Sequence, residues 1–175
     1  MRYRTLVIDP PWSGPNACPT FERKASGGGS AVSVIPYSTM SGAALAALRI
    51  PEIAARDANL FLWAIARSIA DAFLLVQLWG FSYRGLLVWR KPLGLGLAMR
   101  HECEFLLWGA RSGARRPANG KAIRQIHDWP KPRRHSEKPA EAYALIRSIT
   151  DAPRIDLFAR QRRPGFVAWG NEVPR

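Results

Sequence analysis

The sequence predicts a single α/β domain with a mostly parallel central sheet flanked by helices. Short apolar runs alternate with amphipathic segments along the chain, as in folds where helices connect parallel strands. Such a sheet is covered on both faces, so its strands are short and buried. The chain has 175 residues and no linker-like break, which fits one domain spanning residues 1–175.

Each element is predicted from a local pattern. Residues 4–8 form a short buried strand that stops at Asp9-Pro10-Pro11-Trp12, because proline cannot donate a ladder hydrogen bond. Helices are predicted over residues 41–48, 68–79 and 138–149, with Ser41 as a cap, Gly80 as a stop and Pro139 in a first turn. Further strands are predicted at residues 60–64, 81–89, 104–108, 154–159 and 166–169.

Two long segments are predicted to be mobile loops that contact the substrate. Residues 13–35 contain Pro15, Pro19 and the run Gly27-Gly28-Gly29-Ser30. Loops of this length inside a compact domain are usually functional or disordered. The second loop, residues 110–135, carries the cations Arg111, Arg115, Arg116, Lys121, Arg124, Lys131, Arg133 and Arg134. These cations form either an ordinary solvated surface or a grip on phosphates. We favour the grip because the loop leads directly into His135-Ser136-Glu137-Lys138.

The charge of the whole chain favours a polyanionic partner. Lys and Arg total 26 against 13 for Asp and Glu, giving a formal net charge of +13. Release of condensed counterions then favours binding to nucleic acid. The alternative is an Arg-rich proteome in which the charge indicates no particular partner.

Other features narrow the class of protein. Cys18 and Cys103 suggest no disulfide framework, and their spacing to the histidines fits no familiar zinc site, so we expect no metal. The N-terminal residues lead straight into a strand, so we expect no signal peptide. The most apolar stretch, residues 60–81, is interrupted by Arg67 and Asp71. We therefore expect no membrane partner and a cytoplasmic location.

The segment Asp9-Pro10-Pro11-Trp12 suits the methylation of an aromatic exocyclic amine. The lone pair of such an amine is delocalised into the ring, so the nitrogen is a weak nucleophile. Two acceptors that hold its N–H groups localise that pair. The Asp9 carboxylate and the Pro10 carbonyl can supply them, held in place by the prolines. Trp12 can pack against a flipped base. The alternative is a Pro-Pro turn that only ends the strand.

Separated motifs over nearly the whole chain resemble one family. It comprises the catalytic domain of the large S-adenosylmethionine-binding subunit of mRNA adenine-N6 methyltransferase and its bacterial and phage DNA methyltransferase relatives. The motifs that carry the resemblance occur in the family's order. They are Asp9-Pro10-Pro11-Trp12, Pro36-Tyr37-Ser38-Thr39-Met40-Ser41, Leu60-Phe61-Leu62-Trp63, Trp89-Arg90-Lys91, His101-Glu102-Cys103-Glu104, Leu107-Trp108-Gly109, His135-Ser136-Glu137-Lys138-Pro139, Asp156-Leu157-Phe158-Ala159-Arg160 and Trp169-Gly170-Asn171-Glu172.

The resemblance implies a Rossmann-like domain over residues 1–175 that transfers a methyl group from S-adenosylmethionine to the N6 amine of adenine. It implies catalytic roles for Asp9, Pro10, Pro11 and Trp12. Implied or predicted substrate contacts are Tyr37, Lys91, His135, Ser136, Arg115, Arg116, Arg133 and Arg134. Implied cofactor contacts are Asp9, Lys138, Asp156, Arg160, Asn171 and Glu172, with Lys138 pairing with the methionine carboxylate.

Three functions stay open at this point. The chain is a DNA adenine-N6 methyltransferase, an RNA methyltransferase with the same chemistry, or a catalytically silent nucleic-acid-binding paralogue. We favour an enzyme because the catalytic tetrad Asp9-Pro10-Pro11-Trp12 and the cofactor motifs at residues 156–160 and 169–172 are both intact. We favour DNA over RNA because the compact chain carries no RNA-targeting module and looks like the bacterial and phage members. A monomer and a homodimer are both compatible with the sequence.

Overall fold

The computed structural model describes residues 1–13, 39–93, 100–115, 122–132, 134 and 136–173. The strands within these residues are β1 (Tyr3–Ile8), β2 (Ala54–Ala64), β3 (Ser82–Arg90), β4 (Cys103–Ala110), β5 (Ile126–His127), β6 (Arg154–Leu157) and β7 (Val167–Trp169). They form one seven-stranded sheet in the order β5-β3-β4-β2-β1-β6-β7. Only β4 runs against the others, since it pairs antiparallel with both β2 and β3. The sheet is therefore mostly parallel, as predicted.

The helices are short and begin and end where the sequence supplies the chemistry for it. They are α1 (Gly42–Ala46), α2 (Ile50–Ile53), α3 (Ile69–Leu78) and α4 (Ala140–Ile149). The Ser41 hydroxyl accepts a hydrogen bond from the Ala44 amide at 3.2 Å, which satisfies an otherwise free N–H of α1. After α3, Gly80 turns the chain with a φ of 77°, a conformation that glycine adopts without strain.

Two apolar cores cover the two faces of the sheet. On one face, Leu6, Ile8 and Leu62 of the sheet pack with α1 and α3. On the other face, Val7, Phe61, Trp63, Trp89 and Leu106 pack with Tyr143 and Ile146 of α4. Alternate residues of each central strand are buried on opposite faces, as the pleat requires. This doubly covered sheet is the Rossmann-like arrangement that the resemblance implied.

Several predicted boundaries were wrong. Strand β2 begins at Ala54 rather than at residue 60, because the polar Asp57 is accommodated at the sheet end by an ion pair with Arg4. The two-residue strand β5 lies inside the segment predicted to be a loop. Helix α4 begins at Ala140, because Pro139 is an extended N-cap with ψ of 140°. Strand β6 ends at Leu157, because Phe158 adopts a left-handed φ of 61°. Helix α2 was not predicted.

No helix in the described ranges is long and apolar enough to cross a membrane. The same ranges contain no group of His, Cys, Asp and Glu side chains that could hold a metal ion. Cys103 is a half-buried free thiol, and Cys18 lies outside the described residues.

Candidate active site

Chemically active side chains collect at one edge of the sheet. The parallel strands β1, β3 and β6 end there, and the reversed strand β4 begins there, because Cys103 pairs with Arg90 and Phe105 with Ala64. Asp9 directly follows β1, Lys91 follows β3, and Glu104 is the second residue of β4. In open α/β sheets, ligands bind at the carboxyl ends of the strands. The preferred place is where the strand order reverses, so that successive strands are added on opposite sides of one strand. Here β1 is such a strand, with β2 on one side and β6 on the other.

Four alternating charges form a row along this edge. The Lys91 ammonium lies 2.5 Å from Glu104 Oε1, and Glu104 Oε2 lies 3.2 Å from the Lys138 ammonium. Lys138 Nζ also lies 2.9 Å from Asp9 Oδ1 and donates to the Ser136 carbonyl at 3.3 Å. The side chains of Lys138 and Asp9 are only 8% and 13% exposed. Buried charges at such depth are tolerated because each has partners of opposite sign.

The row sets the protonation states of its members. Burial raises the pKa of Asp9 above its ordinary value, and the charge of Lys138 offsets part of that rise. Burial acts on Glu104 in the same direction, but Lys138 and Lys91 together outweigh it and lower its pKa. For Lys138, burial favours the neutral amine, but Asp9 and Glu104 reverse that effect and raise its pKa. Lys138 is therefore a fixed cation that helps keep the carboxylate of Asp9 ionised.

The Asp9-Pro10-Pro11-Trp12 segment is held by backbone bonds on both sides. The Trp12 amide donates to the Pro10 carbonyl at 2.8 Å, and the Met40 amide donates to the Pro11 carbonyl at 2.8 Å. The Trp12 indole N–H donates to the Trp63 carbonyl at 3.0 Å. The Pro10 carbonyl has one engaged lone pair, and an oxygen of this type has two. The segment thus fixes the positions of two acceptor groups, the Asp9 carboxylate and the Pro10 carbonyl.

A cleft of about 290 Å³ lies beside the tetrad. Its lining residues come from the tetrad and from the ends of β6 and β7: Pro11, Phe158, Ala159, Trp169, Gly170, Asn171 and Glu172. Gly170 is required there, because a Cβ at this position would overlap the Ala159 carbonyl oxygen. Glu172 is held by Arg160, whose Nη1 lies 2.8 and 3.0 Å from the two carboxylate oxygens. The cleft combines apolar walls with a carboxylate and an amide at its rim.

A second buried carboxyl group, Asp156, lies on the same face of the sheet as Asp9. It accepts a hydrogen bond from the Tyr143 hydroxyl at 3.1 Å, and the Arg163 guanidinium lies 3.9 Å from the centre of the Tyr143 ring. Burial raises the pKa of Asp156 to about 7, although the Tyr143 hydrogen bond works against that rise. Asp156 is 2% exposed and does not line the cleft.

The structure brings many of the expected site residues together, but not all. Asp9, Lys91, Ser136 and Lys138 meet in or beside the charge row, and the cleft collects Pro11, Asn171 and Glu172. Arg115 lies at the opposite edge of the sheet, where its guanidinium pairs with Asp151 at 2.6 Å. Arg134 is exposed in the segment that leads to Lys138. The remaining expected residues, Tyr37, Arg116, Arg133 and His135, lie outside the described residues.

Arg111, assigned to the basic loop, has a structural role. Its guanidinium donates to the carbonyls of Ala54 and Ala55 at 3.1 Å and to those of Pro51 and Trp79 at 3.3 Å. It also lies 4.8 Å from the centre of the Phe81 ring. These contacts join the ends of α2 and α3 to β2, so Arg111 is not available to a phosphate.

Sequence reasoning missed the central role of Glu104 and the support of Tyr143 and Arg163. Glu104 stood in a recognised motif, and a carboxylate beside the apolar run of β4 was a signal that a buried cation lies near it. The cation itself could not be found by spacing, because Lys138 is far away in sequence. Tyr143 occupies a buried position on the inner face of α4, where a hydroxyl needs a partner.

The fold and this edge define a Rossmann-like methyltransferase domain. A family model described as MT-A70 matches residues 3–172, and the chain belongs to this family of methyltransferases. Type II methyltransferase M.MunI from a Mycoplasma species is 30% identical over 187 residues, covering 99% of this chain and 78% of that protein. The Homo sapiens N(6)-adenosine-methyltransferase catalytic subunit METTL3 is 26% identical over 155 residues, covering 79% of this chain and 26% of that protein. The Drosophila melanogaster MT-A70-like protein is 28% identical over 151 residues, covering 79% and 24%. The chain thus spans about a quarter of the length of these two animal relatives.

Proposed function

We propose that this chain transfers a methyl group from S-adenosylmethionine to the N6 amine of adenine in nucleic acid, with DNA as the favoured substrate. The observation that carries the proposal is the Asp9 carboxylate, buried at the carboxyl edge and held 2.9 Å from the Lys138 ammonium. The favoured chemistry follows from it, because an ionised acceptor fixed beside a carbonyl acceptor suits an amine with two N–H groups.

The cleft beside the tetrad fits an adenosyl cofactor. Pro11, Phe158 and Trp169 supply apolar surface for a purine ring, and Asn171 supplies an amide donor and acceptor. The Glu172 carboxylate keeps acceptor capacity for ribose hydroxyls beyond its pair with Arg160. The volume of the cleft, about 290 Å³, is at the low end for ligand pockets, which span roughly 300–1,000 Å³. We assign the adenosyl group of the cofactor to this cleft. The methionine end of the cofactor then points toward Asp9 and Lys138. When bound, S-adenosylmethionine supplies an electrophilic methyl group on its sulfonium.

Lys138 has a second proposed role besides contact with the cofactor carboxylate. Its ammonium already meets Asp9, Glu104 and the Ser136 carbonyl. A contact with the methionine carboxylate requires one of these to be released or shared. In either case the ammonium keeps Asp9 ionised.

The residues of this chain then act on the acceptor amine. Asp9 and the Pro10 carbonyl accept its N–H groups and localise the nitrogen lone pair in front of the methyl donor, a matter of positioning more than of acid–base work. The nitrogen becomes acidic as the new N–C bond forms. Its proton then leaves to the Asp9 carboxylate, whose burial-raised pKa makes it a better acceptor than an exposed aspartate.

The relatives and the charge row bear on the choice between DNA, RNA and a silent role. M.MunI, which aligns with 99% of this chain, is named a Type II methyltransferase, and the animal relatives are named N(6)-adenosine methyltransferases. The intact charge row favours an enzyme over a silent paralogue, because a paralogue without chemistry would gain nothing from burying Asp9 and Lys138. Three statements stay predictions of the sequence. They are the single catalytic domain over residues 1–175, the cytoplasmic location and the choice of monomer or homodimer.

The function is tested by methyl transfer from labelled cofactor to matched single- and double-stranded DNA and RNA oligonucleotides. We expect label in adenine-containing DNA, and none where every adenine is replaced. Label that appears only in RNA would establish the alternative substrate, and label in none of them would support the silent role.

The cofactor cleft is tested separately by calorimetry with the Asn171→Ala variant. Loss of an amide that bonds the cofactor should weaken its binding about tenfold. The matched control is Asn59→Ala, since Asn59 bonds Trp108 and the Arg115 carbonyl at the opposite edge of the sheet. Wild-type cofactor affinity in Asn171→Ala would remove this cleft from the assignment.

A further inference from the structure

A pair of stacked aromatic rings lies at the end of the edge strand β5 and just after it, outside the site described above. The His127 and Trp129 rings are nearly parallel, with an interplanar angle of 13° and centroids 4.1 Å apart. Both residues are only half-buried. Two flat rings held parallel and partly open to solvent form a surface on which a further flat ring can stack.

The pair contacts Trp89, which packs on Trp63, and Trp63 in turn lies beside Lys138 of the charge row. The Trp89 indole donates to the Trp129 carbonyl at 2.9 Å, and Trp89 pairs with His127 in the sheet register. Trp89 meets the Trp63 ring edge-to-face at 6.1 Å, and the Lys138 ammonium lies 5.5 Å from the centre of the Trp63 ring. The stacked rings therefore lie on the α4 face, at the Asp9 end of the sheet and two aromatic residues away from Lys138.

The surroundings of the pair suit a strand of nucleic acid rather than a neutral partner. Arg124, Lys131 and Arg134 are exposed on the same stretch of chain. Burial lowers the pKa of His127 below its ordinary value, which favours the uncharged ring. Cations that track a backbone beside aromatic rings that take bases are the usual elements of single-strand binding.

We propose that His127 and Trp129 form a stacking site for the base next to the target adenine in the substrate strand. The inference rests on the proposed function and adds a second contact to it. When the target base leaves the stack to reach Asp9, its neighbour loses a stacking partner, and the ring pair replaces that partner. The site is sequence-tolerant, because every base has a π-face.

The test uses single-stranded DNA with one adenine, in which each neighbouring nucleotide is replaced in turn by an abasic residue. For the wild-type chain we expect one of the two replacements to weaken binding about tenfold, the effect of losing one stacked base. In the His127→Ala variant, binding of the complete strand should be weaker by a similar factor. The same abasic replacement should then cost the variant no more than about twofold, because the His127 ring that completed the stack is gone.

Two variants serve as controls. His127→Phe keeps a flat ring and should behave as wild type. Tyr83→Ala removes a ring from the Phe73–Tyr83 pair, whose centroids are 5.0 Å apart on the α3 face, and should leave the abasic penalty unchanged.

The possible results separate this inference from the proposed function. If the wild type methylates the strand but neither abasic neighbour weakens binding, the stacking site is wrong while the function stands. The same conclusion follows if His127→Ala shows the full wild-type abasic penalty. If the wild type methylates no adenine, the proposed function fails, and the binding series still decides whether the rings stack a base.

Discussion

The buried carboxyl of Asp156 gives a prediction about stability and pH. Its ordinary pKa is 3.8, and burial raises the folded-state value to about 7. Between these values the folded protein holds a proton that the unfolded chain has lost. The stability contributed by this group is thus full below about pH 4 and falls as the pH rises to about 7. The difference between the two pKa values, at about 1.4 kcal/mol per unit, corresponds to ~4 kcal/mol over the whole window. Solvent does not screen this free energy appreciably, because Asp156 is only 2% exposed.

The substitution that isolates this effect is Asp156→Asn. Asparagine keeps an oxygen that can accept the Tyr143 hydroxyl but cannot titrate. Urea denaturation of both proteins at pH 5, 6, 7 and 8 gives the unfolding free energy of each. Relative to wild type, the variant should gain ~3 kcal/mol between pH 5 and pH 8, since only part of the window lies in this range. Parallel curves for the two proteins would show that Asp156 does not hold a proton in the folded state, and the account of this face would be refuted.

Three further predictions follow from the contacts. Lys138→Met should lower the unfolding free energy by about 3–5 kcal/mol, because Asp9 loses its buried counter-charge. As the pH is lowered, the variant should lose methyl transfer at a higher pH than the wild type does. Arg111→Ala should cost about 2–3 kcal/mol in a thermal melt, through the lost carbonyl contacts, and should leave nucleic-acid binding unchanged. Arg134→Ala should flatten the slope of log affinity against log salt by about one, whereas Arg115→Ala should not. Equal slopes for the last two variants would contradict the assignment of the phosphate contact to Arg134 and not to Arg115.

The sequence carried enough information for most of the fold and for the core of the site. Apolar runs located six of the seven strands in the described residues, including the central strands β1 and β2, which are buried on both faces, and the Pro-Pro pair placed Asp9 at a strand end. Boundaries were harder. Phe158 ends β6 through a backbone conformation that a phenylalanine rarely adopts, so its sequence predicted more strand instead.

Side-chain partners were the least predictable feature. Glu104 and Lys138 belong to different motifs, and only the reversed direction of β4 brings Glu104 to the edge where Asp9 lies. Arg111 and Arg115 had been grouped with the other cations because they are close in sequence. Strand β4 ends at the opposite edge, so the residues that follow it start far from Asp9. The spacing of residues along the chain does not predict that β4 runs antiparallel to its neighbours.

The central claim is that the Asp9 carboxylate holds the amine that accepts the methyl group. It is tested most directly by single-turnover methyl transfer with the wild type and the Asp9→Ala variant, with N6-methyladenine identified in the product by mass spectrometry. Loss of one preorganised acceptor should slow transfer by ~100-fold or more, while calorimetry should show that part of the cofactor affinity remains. Transfer by Asp9→Ala at more than about a tenth of the wild-type rate would contradict the claim, since an acceptor essential to the transition state cannot be removed so cheaply.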